Sequence, residues 1–396
     1  MLSAWLLPEH IADVLPAQAR RIEALRRSLL DQARSHGFEL VIPPLLEHLD
    51  SLLSGPGHEL DLSTFKLVDQ LGGRTLGLRA DTTPQAARID AHLLNREGVT
   101  RLCYCGPVLH TRPAGLAATR EPLQFGAEVF GHAGLEADLE VAELAIDCLQ
   151  AAMLDALVID MADARVLRGV LAGLPLDANA LQEVARALSA KDAPALAALG
   201  QAIPVETQAA LQALLRLYGS GEVLQAAREV LPDRPLVRAA LEQLEWLASR
   251  LQAAYPKLKL GFDLSDMSGY AYYSGPRFAV YTPGCPDALA RGGRYDEVGS
   301  VFGRNRPAVG FSLDLKSLAE VAVDCGPARA VLAPCDGDAG LRAAVRDLRL
   351  AGHVVINALP GHGCASPDDS DFVIDQQLQC ISGQWQLTPF SMGECS

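Results

Sequence analysis

Apolar residues recur with helical spacing near the start of the chain and predict an amphipathic helix from Pro16 to His36. The apolar stripe consists of Ile22, Leu25, Leu29 and Ala33. Proline suits the first turn of a helix, and Gly37 suits the left-handed residue that ends one. The run "FELVIPP" that follows predicts a strand, which its two prolines end because proline has no N–H to donate.

Alternating apolar and polar positions predict hairpins further along. One comprises Lys66–Leu71 and Thr75–Leu78 around Gly72-Gly73, and another lies in "RLCYCGPVLHTRPAGLAATREPLQFGAEVFG". Helical patterns cover about Thr83–Leu94 and Glu140–Leu157, and strands resume with "LKLGFDL", "AYYSGPRFAVY" and "AVGFSL". These elements predict an α+β fold in which helices flank a mostly antiparallel sheet.

The composition changes after about residue 160 and predicts three regions. Residues 161–255 are rich in alanine and leucine with helical periodicity, so we expect a helical insertion into a core formed by residues 1–160 and 256–325. Residues 326–396 contain "ARAVLAP", a helical pattern over about Ala339–Leu350, "HVVIN" and "DFVID". This order predicts a small C-terminal α/β domain.

The charge of the chain argues against one class of partner. The formal net charge is -14, whereas a protein that grips a nucleic-acid backbone normally has a basic face. Arg20, Arg21, Arg26 and Arg27 form a basic cluster on the first predicted helix, but such a cluster is more often a solvated helix face. We therefore expect no nucleic-acid partner.

Cysteine and histidine usage limits the compartment and the chemistry. The nine cysteines are an odd number without zinc-finger spacing, and no signal-peptide pattern is present, so we expect a cytoplasmic protein. No apolar run is long enough to cross a membrane, so no membrane partner is expected. The histidines are scattered and no phosphate-binding glycine loop precedes a helix, so neither a metal nor a cofactor is expected.

One set of polar and aromatic residues lies in segments that a single antiparallel sheet could bring together. The set is Asp81, Thr83, Gln124, Glu128, Tyr272, Tyr273 and Tyr295. It offers carboxylates for an ammonium group, an amide, and aromatic walls with hydroxyl groups, which suits a zwitterionic small molecule such as an amino acid. Structural hydrogen bonding is the competing explanation.

Five segments, in order, resemble the motifs of the catalytic core of class II histidyl-tRNA synthetases and span roughly residues 8–325. They are "HGFELVIPPLLEHLD" for the first motif, "TFKLVDQLGGRTLGLRADTTPQAAR" before the amino-acid pocket, "YCGPVLHTRP…REPLQFGAEVFG" for the second motif, "GYAYYSG" for the histidine-specific peptide, and "GGRYDEV…PAVGFSLDL" for the third motif. The resemblance implies the class II synthetase fold and a dimer formed through the first motif. It also implies that Asp81 binds an ammonium group and that Gln124, Glu128 and the three tyrosines line a histidine pocket. The C-terminal segment resembles a shortened anticodon-binding domain.

The chain departs from this family at three arginines that handle ATP. They fall on His110 in the second motif, Ser268 in the histidine-specific peptide and Ser317 in the third motif. A charge-assisted hydrogen bond contributes about 1.5 to 3 kcal/mol, so three losses would remove roughly 4 to 9 kcal/mol if they were additive. That corresponds to about three to six powers of ten in rate, so we expect no useful adenylate formation.

In keeping the pocket and lacking the ATP-handling arginines, the chain resembles the regulatory subunits of ATP phosphoribosyltransferase, which are paralogues of these synthetases. The segment "VLHTRPAGLAATREPLQFGAE" resembles their second motif closely. The resemblance implies a chain without chemistry of its own. It would activate a short catalytic subunit in the first step of histidine biosynthesis and help carry feedback inhibition by histidine.

Three alternatives remain open at this point. The chain could be a histidyl-tRNA synthetase with divergent ATP contacts, a tRNA-binding module without catalysis, or another class II-like ligase that forms an amide. A synthetase or ligase would need the lost arginines, and a tRNA-binding module would need a basic C-terminal face.

Overall fold

The structure is a computed structural model that describes residues 6–52, 58–113, 115, 118–199, 203–270, 272–299, 303–322, 326–359 and 372–390. The chain folds into two compact units. The first comprises Met1–Asp13 and Ile22–Val323, and the second comprises Val14–Arg21 and Asp324–Ser396. Residues 161–255 lie within the first unit, so their status as a separate insertion stays a prediction.

The strands and helices are numbered in chain order. The strands are β1 (Glu39–Leu40), β2 (Leu46–His48), β3 (Phe65–Val68), β4 (Thr75–Leu78), β5 (Thr100–Pro107), β6 (Leu123–Phe130), β7 (Val158–Asp163), β8 (Tyr218–Gly219), β9 (Lys259–Asp263), β10 (Pro276–Tyr281), β11 (Ala290–Arg294), β12 (Ala308–Asp314), β13 (Ala328–Ala333), β14 (Val355–Asn357), β15 (Phe372–Ile381) and β16 (Gln384–Pro389). The α-helices are α1 (Pro16–Ser35), α2 (Leu49–Leu52), α3 (His58–Ser63), α4 (Thr83–Arg88), α5 (Leu135–Ala151), α6 (Ala164–Leu171), α7 (Ala178–Ser189), α8 (Ala193–Leu199), α9 (Val205–Leu214), α10 (Glu222–Val230), α11 (Pro235–Ala254), α12 (Leu315–Val321) and α13 (Ala339–Leu350). A π-helical segment, Ile89–Leu94, continues α4.

The main sheet of the first unit has the strand order β1-β5-β6-β12-β11-β10-β7-β9-β8. The pairs β1·β5 and β7·β9 are parallel, and the other neighbours are antiparallel. The predicted α+β fold with a mostly antiparallel sheet is confirmed. A small sheet of order β2-β4-β3 lies in the same unit.

Helix α1 follows its sequence pattern closely, because the predicted apolar stripe is its buried face. Gly37 has a φ of +83°, and the Phe38 N–H donates to the Ala33 carbonyl across the helix end at 3.0 Å. Arg26 and Arg27 both bind the Glu23 carboxylate, and their hydrogen bonds lower the pKa of Glu23 to about 2. The single Glu23 charge therefore neutralises half of the charge in this part of the predicted basic cluster.

Two predicted elements were placed incorrectly. The helix expected over Glu140–Leu157 is α5, which begins at Leu135, because Glu136 and Asp138 suit a first turn despite being polar. Met153, at a φ of +63°, follows the end of this helix. The strand expected from "FELVIPP" is only the two residues of β1, beyond which Val41 N–H still donates to the Cys103 carbonyl at 2.9 Å.

The turn of the first hairpin is also wider than predicted. The Asp69 side chain accepts hydrogen bonds from the backbone of Leu71 and Gly72. Strand β3 therefore ends at Val68 rather than at Leu71.

The second unit contains a four-stranded sheet of order β14-β13-β15-β16, against which α13 packs. Its core consists of Val331, Ala333, Leu341, Val345, Val355 and Leu378. The Asp338 side chain caps α13 at the Leu341 N–H and accepts a hydrogen bond of 2.6 Å from the Trp385 indole.

Candidate ligand site on the main sheet

The register of the main sheet assigns the candidate residues to one face. Directly paired residues point to the same side of a sheet. One row across β5, β6, β12, β11 and β10 is therefore Leu102, Glu128, Gly310, Gly293 and Arg277. The next row is Tyr104, Gly126, Ser312, Arg291 and Ala279. The opposite face packs against α5, where Asp138 binds the buried guanidinium of Arg294.

Glycines form the floor of this face because large side chains lie flat across it. A Cβ atom added at Gly310 would overlap the Glu128 carboxylate, and one at Gly126 would overlap the Tyr104 ring. A Cβ atom at Gly293 would come within 2.7 Å of the Arg277 Cβ. The glycines thus leave the space that the polar side chains of the site occupy.

Glu128 is the centre of the site and is only 1% exposed. Its Oε1 accepts hydrogen bonds from the Tyr104 hydroxyl at 2.9 Å and from Thr83 Oγ1 at 3.0 Å, and its Oε2 accepts one from the Tyr295 hydroxyl. Burial raises the pKa of Glu128 to about 8, although these three hydrogen bonds act to lower it. The carboxyl group can therefore hold or release a proton near neutral pH.

Asp81 forms the acidic group at the other end of the cluster. The Gln124 side chain donates to Asp81 Oδ1 at 2.8 Å and accepts from the Thr82 N–H at 2.9 Å. The Thr83 N–H also donates to Asp81 Oδ1, at 3.1 Å. Neither bond uses Oδ2, and Asp81 is only partly buried, so its carboxylate can receive an ammonium group from a ligand.

Three tyrosines form the aromatic wall. The ring of Tyr272 stacks on that of Tyr295 at 5.1 Å between centroids and meets that of Tyr273 edge-on at 5.3 Å. Arg168 of α6 fixes the loop that carries two of them, since it donates to the carbonyls of Tyr270 at 2.8 Å and Tyr273 at 2.9 Å. The helical region thereby sets the position of the wall.

All seven candidate residues therefore lie in one connected cluster. Their role in binding a ligand stays a prediction. Sequence reasoning missed Tyr104, Arg168 and Gly310. Tyr104 could have been found from the alternation along β5, whereas Arg168 and Gly310 depend on contacts between segments far apart in the chain.

The three positions that lack the family's arginines hold side chains with local partners. His110 Nε2 donates to the Ala80 carbonyl at 2.9 Å. Ser268 Oγ donates to Asp266 at 2.6 Å, and Ser317 Oγ donates to Asp314 at 2.7 Å. The two serines thus complete a turn and a helix start, and His110 links its loop to the segment after β4, where the family has cations.

Other features of the described residues lie away from this cluster. A groove of about 790 Å³ runs beside α10, α11 and β9 and contains none of the seven residues. In the described ranges no group of three or more histidine, cysteine, aspartate or glutamate side chains is arranged to hold a metal ion. No helix within these ranges combines the length and the apolar character needed to cross a bilayer.

Comparison with known proteins identifies the family. Residues 10–318 match the family model described as histidyl-tRNA synthetase, and residues 328–388 match the C-terminal domain of ATP phosphoribosyltransferase subunit HisZ. A protein of Variovorax paradoxus (strain S110), named ATP phosphoribosyltransferase regulatory subunit, is 60% identical over 388 residues, which is 98% of this chain and 99% of that protein. The chain belongs to the family of ATP phosphoribosyltransferase regulatory subunits.

Other members of the regulatory-subunit family and solved structures agree. The protein of that name from Verminephrobacter eiseniae (strain EF01-2) is 57% identical over 97% of this chain and 99% of its own length. The structure titled ATP phosphoribosyltransferase regulatory subunit/histidyl-tRNA synthetase from Bacillus halodurans has a TM-score of 0.82 at 25% identity and covers 94% of this chain and 97% of its own. A histidyl-tRNA synthetase from Nostoc sp. PCC 7120 shares the fold, with a TM-score of 0.77 at 20% identity over 97% of both chains. The synthetase likeness is thus one of fold.

Proposed function

We propose that this regulatory subunit performs no chemistry itself, activates a short catalytic ATP phosphoribosyltransferase subunit, and helps carry feedback inhibition by histidine. The family membership supports the regulatory role. The observation that carries the rest is the contrast within one site. The polar cluster around Asp81 and Glu128 is assembled, whereas His110, Ser268 and Ser317 replace the cations that ATP would need.

The groups of this cluster complement histidine in the following proposed orientation. Asp81 and Gln124 receive its ammonium group, and Glu128 with the tyrosine hydroxyls receives its imidazole nitrogens. Tyr272 and Tyr295 stack beside the ring position. Because the pKa of Glu128 is near neutrality, its carboxyl can either accept from or donate to the imidazole.

Inhibition requires that histidine bind the active and inhibited states of the assembly with different free energies. The loop of Tyr272 and Tyr273 connects the pocket to the helical region, because Arg168 of α6 donates hydrogen bonds to its carbonyls. We place the difference in binding free energy at this pocket or at its edge against the catalytic subunit.

One further partner, two excluded partners and one compartment belong to the same proposal. The chain forms a dimer with itself through the first motif and takes neither nucleic acid nor a membrane as partner. It works in the cytoplasm, which the exposed free thiols of Cys335 and Cys380 support.

The test is reconstitution with a short catalytic subunit. We expect the phosphoribosyltransferase assay with ATP and phosphoribosyl pyrophosphate to show higher activity when the full-length chain is present, and histidine to inhibit the mixture. Pyrophosphate exchange driven by histidine and ATP is expected to be absent. Exchange at a synthetase-like rate, or no activation, would remove the proposal.

Two substitutions test the pocket within the same assay. Asp81→Ala and Gln124→Ala each remove one charge-assisted hydrogen bond to the ammonium group, so we expect histidine to bind about 10- to 100-fold more weakly by calorimetry. The inhibition constant for histidine is expected to rise in parallel. Asp233→Ala, at an exposed aspartate before α11, is the matched control. Unchanged histidine binding and inhibition in both pocket variants would place the effector site elsewhere.

A further inference from the structure

Arg291 projects from the same face of the main sheet as the candidate pocket. It pairs with Ser312 of β12 and Ala279 of β10. Side chains alternate along a strand, so Arg291, Gly293 and Tyr295 share one side of β11. Since the Tyr295 hydroxyl binds Glu128, Arg291 stands on the face that carries the pocket.

Among the described residues, Arg291 carries the guanidinium of this face that has no hydrogen-bonding partner of its own. Arg277 is held by Asp266 and by the carbonyl of Ser268. Arg79 is held by the carbonyls of Pro43 and Pro107. Arg291 is exposed, and among the described residues no hydrogen bond or ion pair holds its side chain.

Arg291 is also close to the aromatic wall. Its charge acts on the Tyr273 phenol and partly offsets the rise in the Tyr273 pKa that burial causes. The strand spacing places the Arg291 Cα roughly 12 Å from the Glu128 Cα, since the two lie two strands and one row of residues apart. An amino acid can fill that distance between a glutamate and an extended arginine side chain.

The site therefore has two acids on one side and a free cation on the other. An amino acid complements both, because it carries an ammonium group and a carboxylate. The guanidinium fork matches a carboxylate with two parallel hydrogen bonds, which a lysine cannot reproduce. Ser268, at the position of the family's missing arginine, has its hydroxyl committed to Asp266 and supplies no charge.

We propose that Arg291 binds the α-carboxylate of the histidine effector and so makes the pocket select a complete amino acid over an amine. This inference rests on the proposed histidine site. It assigns the recognition of the ligand carboxylate to β11.

The experiment compares histidine with histamine, which keeps the imidazole and the ammonium group but lacks the carboxylate. Binding of each is measured by calorimetry to the full-length chain, alone and with the catalytic subunit. We expect wild type to prefer histidine and Arg291→Gln to weaken histidine binding about 10- to 100-fold with histamine binding unchanged. Arg291→Lys should fall between, because it keeps the charge without the fork.

Arg342→Gln, at an exposed arginine of α13, is the matched control and should alter neither ligand. The melting temperature of Arg291→Gln should equal that of wild type, because the side chain is exposed and unpaired. If Arg291→Gln binds histidine as tightly as wild type, or weakens the binding of histidine and histamine equally, the role of Arg291 is overturned and the proposed function still stands. Failure of wild type to bind histidine at all overturns the proposed function together with it.

Discussion

Glu128 holds its proton at a higher pH than an ordinary glutamate because it is buried. Its ordinary pKa is 4.5 and its folded value is about 8. Between these pH values the folded chain keeps a proton that the unfolded chain has lost. The free energy of unfolding therefore falls as the pH rises from 4.5 to about 8, by at most about 1.4 kcal/mol per pH unit from this group.

Glu128→Gln tests this dependence. The amide keeps the shape of the side chain and does not titrate, so its free energy of unfolding should decline less than that of wild type between about pH 5 and pH 8. We expect the free energy of unfolding of the variant, relative to that of wild type, to rise by up to a few kcal/mol from about pH 5 to pH 8, as measured by urea unfolding. Glu206→Gln, at an exposed glutamate of α9, should follow wild type. Parallel curves for wild type and Glu128→Gln would mean that Glu128 is ionised throughout this range.

The glycine floor is a property of four neighbouring strands. Gly106 of β5, Gly126 of β6 and Gly310 of β12 each face a large side chain that lies across the sheet, and Gly293 of β11 lies against the backbone of Pro276 and Arg277 on β10. A methyl group at the first three would have to displace Arg79, Tyr104 or Glu128, and one at Gly293 would collide with the backbone of β10. The register that brings these strands together therefore also prepares the site.

Gly310→Ala tests the floor at the element scale. The added Cβ would overlap the Glu128 carboxylate, which is held from three sides and cannot move without breaking hydrogen bonds. We expect a loss of about 1 to 3 kcal/mol in the free energy of unfolding by urea, together with loss of histidine binding. Gly98→Ala is the control, because an added Cβ there meets nothing within 4 Å. Equal stability and histidine binding in the two variants would show that the floor tolerates a side chain.

Local elements could be predicted from the sequence where the apolar pattern alone determines them. Helix α1 and the hairpin of β5 and β6 are examples, since their periodicity and turn residues are contained in the segment itself. The start of α5 was missed because its first turn is polar and Asp138 is buried only through its bond to Arg294. The order of strands and the glycine floor depend on pairing between distant segments, such as β6 with β12, which no local pattern encodes.

The candidate site could also be predicted only in part from the sequence. Its seven residues were selected by residue type and by resemblance, and the structure adds the hydrogen bonds that connect them. Tyr104 and Arg168 escaped selection because one is a buried strand residue and the other reaches the site from a helix. Their contribution depends on tertiary contacts rather than on a motif.

At the scale of the whole molecule, exposed apolar side chains are concentrated in one stretch. Eight of the 24 exposed large apolar residues in the described ranges fall between residues 40 and 71. They are Leu40, Ile42, Leu45, Leu46, Leu62, Leu67, Val68 and Leu71. The first four belong to the first motif, and β1 is an edge strand of the main sheet. Exposed apolar residues on and beside an edge strand are typical of a protein–protein interface.

The dimer proposed for this chain should therefore depend on this stretch. Ile42 is 83% exposed and Leu46 is 42% exposed, so aspartate at both positions adds charge to the surface without opening a core. A pair of unpaired carboxylates buried at an interface costs several kcal/mol, which is enough to separate a dimer at micromolar concentration. We expect light scattering after size exclusion to give the mass of a dimer for wild type and of a monomer for the Ile42→Asp, Leu46→Asp double variant. Leu350→Asp, at an 86% exposed position of α13, should remain dimeric. The double variant should keep its melting temperature, because the substituted side chains contact solvent in the single chain. A double variant that stays dimeric would place self-association at another surface. A monomeric wild type would remove the proposed dimer.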